Sequence, residues 1–360
     1  MTPGGAARAW DAVDTQARRP LHLAVVAGLA VLTAACIPDD GRAPLIVYSP
    51  HGRAMLEVYE ARFEAAHPDI DLQWVDQGSQ EILDRLRSER ANPQADVWWG
   101  APATMFVTGV EDGLLTEFEP TWASTLPDDA RGQEARWHGI YLTPEVIAYN
   151  SAAIAPEDVP RDWEDVLDPR WADEVLIRDP LASGTMRTIF GMIMHRSIVR
   201  TGDTAQGYDW LRRLDAQTKE YVLNPTLLYQ KLNRQEGLVT LWDMPDIEAL
   251  KRQGGYDIDY VFPESGTPLL VDGIGVVKGA PHPEAARELV EFLGSTDEVL
   301  HAAANFDRLP ARTDIPADEL PEALQRAREQ IRPEPLDWGL LQERTTEWMR
   351  YWDEHIRGRG

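Results

Sequence analysis

Short apolar runs of β-forming residues alternate with helix-spaced stretches along most of this chain, and that alternation restricts its fold more than any other feature. Leu45-Ile46-Val47-Tyr48 reads as a buried strand. The turn Ser49-Pro50-His51-Gly52 closes it, and Met55, Leu56, Tyr59 and Phe63 then follow at helical spacing over 53–66. Asp71-Leu72-Gln73-Trp74-Val75 is the next strand, and Gly78-Ser79-Gln80 opens a helix with Ile82, Leu83 and Leu86 on one face. Ala95-Asp96-Val97-Trp98-Trp99 is a third strand, leading through Gly100-Ala101-Pro102 into another helix. Such alternation predicts a mostly parallel sheet flanked by helices. In sheets of this kind ligands sit at the carboxyl ends of the strands.

After an irregular polar stretch over 118–137, the segments 140–142 and 146–150 read as extended and as a crossing between two lobes. A second alternation follows, with strands at 175–177, 221–223, 238–242 and 258–262 and helices over 185–200, 206–216, 225–233 and 246–252. Residues 269–277 read as a strand returning to the first lobe. Helices are expected near 283–304, 319–331 and 339–357.

With 360 residues the chain is long enough for two domains with separate cores. Its formal net charge of −25 argues against a nucleic-acid partner, because the body offers no net attraction to a phosphate backbone. A local cluster of N–H groups and an arginine still suits an anionic ligand. The 13 tryptophans serve core packing, and some are candidates for lining a pocket.

Residues 21–35 form an apolar run preceded by Arg18-Arg19 and ended by the single cysteine, Cys36. A charged start, a short apolar core and small residues at its end make a secretory signal. The run is short for a membrane-spanning helix. Thr33-Ala34-Ala35-Cys36 resembles a lipobox with threonine at the usual leucine position, so Cys36 is expected to be acylated and to become the mature N-terminus. Residues 36–43 would then tether the body to the membrane.

Three strand ends carry small hydroxyl-bearing turns: Ser49 with His51-Gly52, Gly78-Ser79, and Ser183-Gly184-Thr185 after Asp179-Pro180. Such turns at helix starts present N–H groups and hydroxyls at the positive dipole end, a ready site for phosphate, phosphonate or carboxylate. Plain helix capping accounts for the same residues. Asp243 ends the strand 238–242 and suits an amine or ligand hydroxyls, or caps the next helix. Glu264 follows the strand 258–262 in a comparable place, where a solvated turn acid is the alternative. His51, Tyr141, Tyr208, Tyr229, Asp243 and Glu264 form a weak set for a hard cation such as ferric iron. No HExxH spacing, GxSxG elbow, SxxK or Walker sequence is present, and Cys36 is committed to lipidation. No metal, cofactor or enzymatic activity is therefore expected.

Together the residues resemble a known family. Ile46-Val47-Tyr48-Ser49, Ala95–Gly100 and Glu111–Leu115 look like the start of extracellular solute-binding proteins of the iron(III)-type ABC importers. Asp162–Trp171, Asp179-Pro180 with Ser183-Gly184-Thr185, Val271–Pro283 and Trp338–Trp352 resemble later segments of that family. The resemblance implies a type II periplasmic-binding fold, two α/β lobes around a hinged cleft that closes on a ligand. It implies the layout 1–35 signal peptide, 36–43 tether, 44–140 and 268–300 first lobe, 141–267 second lobe, and 301–360 C-terminal helices packing on the lobes. It also implies ligand contacts at Ser49, Ser79, Ser183, Gly184, Thr185, Asp243 and Glu264, with His51 beside them. The expected role is a monomeric, lipid-anchored binding protein in the periplasm or at the cell surface, delivering a small ligand to ABC permease subunits. Some members bind ferric iron through a tyrosine pair, and no adjacent Tyr-Tyr occurs here. The hydroxyl-rich turns favour a phosphonate or sugar-phosphate-like anion, with iron as the alternative and a sensor module or enzyme further behind.

Overall fold

The computed structural model describes residues 41–359; the signal, the lipobox and Cys36 lie outside the described residues. The first alternation forms β1 (Ala43–Ser49), α1 (Arg53–Ala66), β2 (Ile70–Asp76), α2 (Ser79–Ser88), β3 (Val97–Pro102) and α3 (Ala103–Glu111). The stretch 118–137 holds three short 3-10 turns before β4 (His138–Asn150). The second alternation forms β5 (Val175–Arg178), α4 (Gly184–Thr201), α5 (Ala205–Gln217), β6 (Thr218–Val222), α6 (Pro225–Asn233), β7 (Val239–Asp243), α7 (Met244–Gln253) and β8 (Ile258–Val261). The chain then runs through β9 (Leu269–Val276), α8 (Pro283–Leu293), α9 (Thr296–Phe306), β10 (Leu309–Pro310), α10 (Glu322–Gln330) and α11 (Trp338–His355).

The strand order is β2-β1-β3-β9-β4-β7-β5-β6, with β8 and β10 also pairing with β4. Each flank is a parallel triplet: β1 pairs in parallel with β2 and β3, and β5 with β6 and β7. The strands joining the flanks are antiparallel. The two extended segments expected at 140–142 and 146–150 are one continuous strand, β4. Its residues 138–144 pair with β9, and residues 145–149 pair with β7. Two hydrophobic cores lie on either side of this crossing. In the first, α1 buries Met55, Leu56, Tyr59 and Phe63, one helix face. In the second, α4 is buried on nearly all sides, packed by α5, α11 and β7.

One helix expectation changes. The helix expected over 283–304 is broken into α8 and α9 at Gly294-Ser295. A Cβ at Gly294 would fall 1.9 Å from the Trp122 ring, and the Ser295 hydroxyl caps α9 by accepting from the Glu298 N–H. The C-terminal helices divide between the cores: α10 contributes Leu324 and Ala327 to the first, and α11 contributes Trp348, Met349 and Trp352 to the second.

Candidate functional site

The carboxyl ends of β1, β2, β5, β6 and β7 converge on a cavity of about 370 Å³ between the two halves. The starts of α2, α4, α6 and α7 open onto it, so several positive dipole ends face one space. Their placement follows from the parallel triplets, which bring successive strand–helix turns to the same edge.

The turn into α4 is the most complete part. Ser183 caps the helix, its Oγ accepting from the Met186 N–H at 3.3 Å. The capping alternative is thus realised, and the site persists beside it, because the N–H groups of Gly184 and Thr185 find no acceptor among the described residues. Ser79, at the start of α2, faces this turn across the cavity. A Cβ on Gly184 would lie 3.0 Å from Ser79 Oγ and 2.7 Å from Pro102 Cδ, so the two halves touch here. The Gln80 N–H reaches the Ala182 carbonyl at 3.4 Å in the same contact.

Arg178, the last residue of β5, was not singled out from sequence. It lines the cavity, is 4% exposed, and has no carboxylate within salt-bridge distance among the described residues. Its one hydrogen bond runs from Nη1 to the Val222 carbonyl at 3.4 Å. Burial lowers its pKa from the usual value, only partly offset by Asp179 and Glu81. The neighbouring acid Asp179 is engaged elsewhere, by Arg357 at 2.8 Å. Such a guanidinium is desolvated with only partial compensation, and an anion in the cavity would complete it.

The opposite wall is acidic. Asp243 caps α7 by accepting from the Asp246 N–H at 3.0 Å, and burial, with Asp246 next, raises its carboxyl well above the ordinary range. Arg308 stands in this wall, 3.6 Å from Asp246 and 3.9 Å from Asp272, with its Nη1 donating to Thr143 Oγ1 at 3.4 Å. Burial opposes its charge, but the fields of Asp246, Asp272 and Asp243 outweigh that and raise its pKa. Its Nε has no partner among the described residues. Tyr229 donates to Asp246, and the Trp242 Nε1–H is shared between them. Glu145, opposite Asp243 in the β4–β7 ladder, is fully buried, and among the described residues neither of its carboxylate oxygens has a partner. Burial and then Asp243 push its pKa far up, favouring the neutral acid.

His51 lines the cavity, its Nδ1 3.1 Å from Ser49 Oγ. Burial, then Arg308, lowers its pKa well below the usual value, favouring the neutral ring. Of the sequence candidates, the structure brings His51, Ser79, Ser183, Gly184, Thr185 and Asp243 around one cavity. Ser49 is displaced from this role: it is fully buried, and its hydroxyl holds the His51 ring and N–H. Glu264 does not reach the cavity. No helix follows β8, and the turn is pinned on the outside, the Glu264 N–H to the Arg161 carbonyl and its own carbonyl to Arg332. Tyr208 also lies elsewhere, against Tyr351. Among the described residues no group of three His, Cys, Asp or Glu side chains is placed to hold a metal.

Arg178 had a faint signal, a lone charge closing an apolar strand before Asp179-Pro180. Arg308 had none, since only the tertiary fold carries β10 back to β4 and the cavity wall.

Residues 103–344 match the family model of the bacterial extracellular solute-binding proteins, and the chain belongs to that family. It is 27% identical to a probable ABC transporter periplasmic-binding protein of Sinorhizobium fredii, over 91% of this chain and 90% of that one. It is 26% identical, over 88% and 94%, to a Salmonella typhimurium protein named as 2-aminoethylphosphonate-binding and periplasmic. The periplasmic binding protein AfuA of Actinobacillus pleuropneumoniae, solved with fructose-6-phosphate, superposes with a TM-score of 0.76 at 20% identity, covering 88% of this chain and 99% of that one. The ferric binding protein of Campylobacter jejuni superposes at 0.72 and 17% identity, over 86% and 98%. The fold is the two-lobed periplasmic-binding fold, and the protein is an extracytoplasmic substrate-binding component of an ABC transporter, working with permease subunits.

Proposed function

We propose that the cleft captures a small organic oxyanion of the phosphonate or sugar-phosphate class, and that the lobes close over it before delivery to the permease. The observation that carries this reading is Arg178, buried at the cavity wall without a carboxylate partner, beside the unpaired N–H groups opening α4. Asp243, Asp246 and Asp272 on the other wall suit an ammonium group or hydroxyls at the ligand's far end. The names of the Salmonella and Actinobacillus relatives point to ligands with this pairing of groups. The ligand leaves unchanged, the protein acts as a monomer, and Cys36 anchors it by lipid to the membrane.

Native mass spectrometry of the purified protein should detect a co-purified organic phosphate or phosphonate. Calorimetric titration with 2-aminoethylphosphonate and fructose 6-phosphate then tests the site. Arg178→Gln should weaken the ligand that binds by about 10- to 100-fold, the worth of a charge-assisted hydrogen bond of about 1.5–3 kcal/mol. A mass increment of one iron, or unchanged affinity in Arg178→Gln, would overturn the proposal.

A further inference from the structure

Beside the contact of Gly184 with Pro102 lies a second cavity of about 320 Å³, which shares those two residues with the ligand cleft and is otherwise lined by different residues. Its walls come from both lobes: α2 and α3 on one side, α4 and α11 on the other. Three charged side chains line it, Asp84, Arg87 and Arg187. Arg87 is already neutralised, with Asp84 at 3.1 Å and Asp112 at 2.7 Å.

Arg187 is left over. Its hydrogen bond is to a neutral hydroxyl, Nη2 donating to Thr346 Oγ1 at 3.0 Å, and no carboxylate among the described residues stands within salt-bridge distance. It also sits in the first turn of α4, where the helix dipole is unfavourable to a cation. Burial works against its charge, with Asp84 helping and Arg87 opposing, and its pKa is pushed down to about 10. Neutral donors complete the walls, among them Thr104, Thr108, Thr188 and Gln342. A half-buried cation with no carboxylate partner among the described residues, a helix start and neutral donors around a cavity are the elements of an anion site.

We propose that this cavity is a second oxyanion site, in which Arg187 and the surrounding hydroxyls hold a small free anion such as phosphate, sulfate or a carboxylate. It is separate from the ligand cleft and does not depend on the identity of the cleft ligand. Because its walls belong to both lobes, a bound anion clasps them together.

Soaking crystals of the full protein with selenate, and locating selenium by anomalous scattering, tests this directly. A selenium peak within hydrogen-bond reach of the Arg187 guanidinium is expected in the wild type. Calorimetric titration with sulfate, at ionic strength held with chloride, should show a binding event that Arg187→Gln weakens about tenfold or more, that Arg187→Lys largely keeps, and that Arg178→Gln leaves in place. Selenium at Arg178 alone, or sulfate affinity unchanged in Arg187→Gln, would overturn the inference. The first of those results would leave the reading of the cleft intact. The wild-type soak decides the question even if a variant folds poorly.

Discussion

Replacing Gly184 with alanine separates closure of the lobes from stability of the fold. Gly184 is the first residue of α4, where alanine is intrinsically the better helix former by about 0.5–1 kcal/mol. Within its own lobe the change should therefore be neutral or slightly stabilising. Across the cleft it is not. The new Cβ would lie 2.7 Å from Pro102 Cδ, 2.9 Å from Pro102 Cγ and 3.0 Å from Ser79 Oγ. Carbon atoms prefer about 3.5–4.0 Å, so the surfaces must part by about 1 Å. The proline ring, fixed to the backbone where β3 meets α3, has no rotamer by which to swing aside. Overpacking of this kind costs about 1–3 kcal/mol, and here the cost falls on any arrangement in which the lobes make this contact. A ligand that binds the closed form then loses about 5- to 150-fold in apparent affinity. Isothermal titration with the cleft ligand identified by native mass spectrometry measures that loss, and calorimetric unfolding without ligand measures stability. Weakened binding with an unchanged or raised Tm is the expected pair of results. An unchanged dissociation constant refutes the reasoning, and a Tm that falls with the affinity assigns the effect to folding instead.

The two hydroxyls of the α4 turn should behave differently. Ser183→Ala removes the helix cap and should lower stability by about 1 kcal/mol, seen as a lower Tm without ligand. Thr185→Ala should weaken ligand binding while leaving the Tm alone. Glu145 is a buried acid with a pKa raised by burial and by Asp243, so it binds a proton in the folded state that it sheds in the unfolded one. Its contribution is most favourable below the ordinary carboxylate pKa and is lost as pH rises toward its folded value. Glu145→Gln should raise Tm at neutral to alkaline pH, with the gain shrinking towards pH 4; a gain independent of pH would refute that assignment.

Much of the fold was legible because it rests on local pattern. The apolar runs at 45–48, 71–75 and 95–99, each followed by a turn and an amphipathic stretch, are strands and helices in the structure within three residues. The extended segment read at 269–277 does return to the first half, pairing with β3 and with residues 138–144 of β4. The break at Gly294 was not, because the Trp122 ring that demands a glycine there is far away in sequence.

The candidate site divides along the same line. Ser79, Ser183, Gly184, Thr185 and Asp243 were found because a helix start after a strand is a local event, and the parallel triplets carry all such starts to one edge. Ser49 and Glu264 satisfied the same local rule, yet one hydroxyl turned to His51 and the other turn was drawn outward by Arg161 and Arg332. By itself, then, the sequence determined the elements, their alternation and the chemistry available at the strand ends, since those depend on near neighbours. The tertiary structure alone decided which charges lack partners. Arg178 and Arg187 look like any other arginines in the sequence, and the placement of distant carboxylates, which leaves neither with one in reach among the described residues, sets them apart.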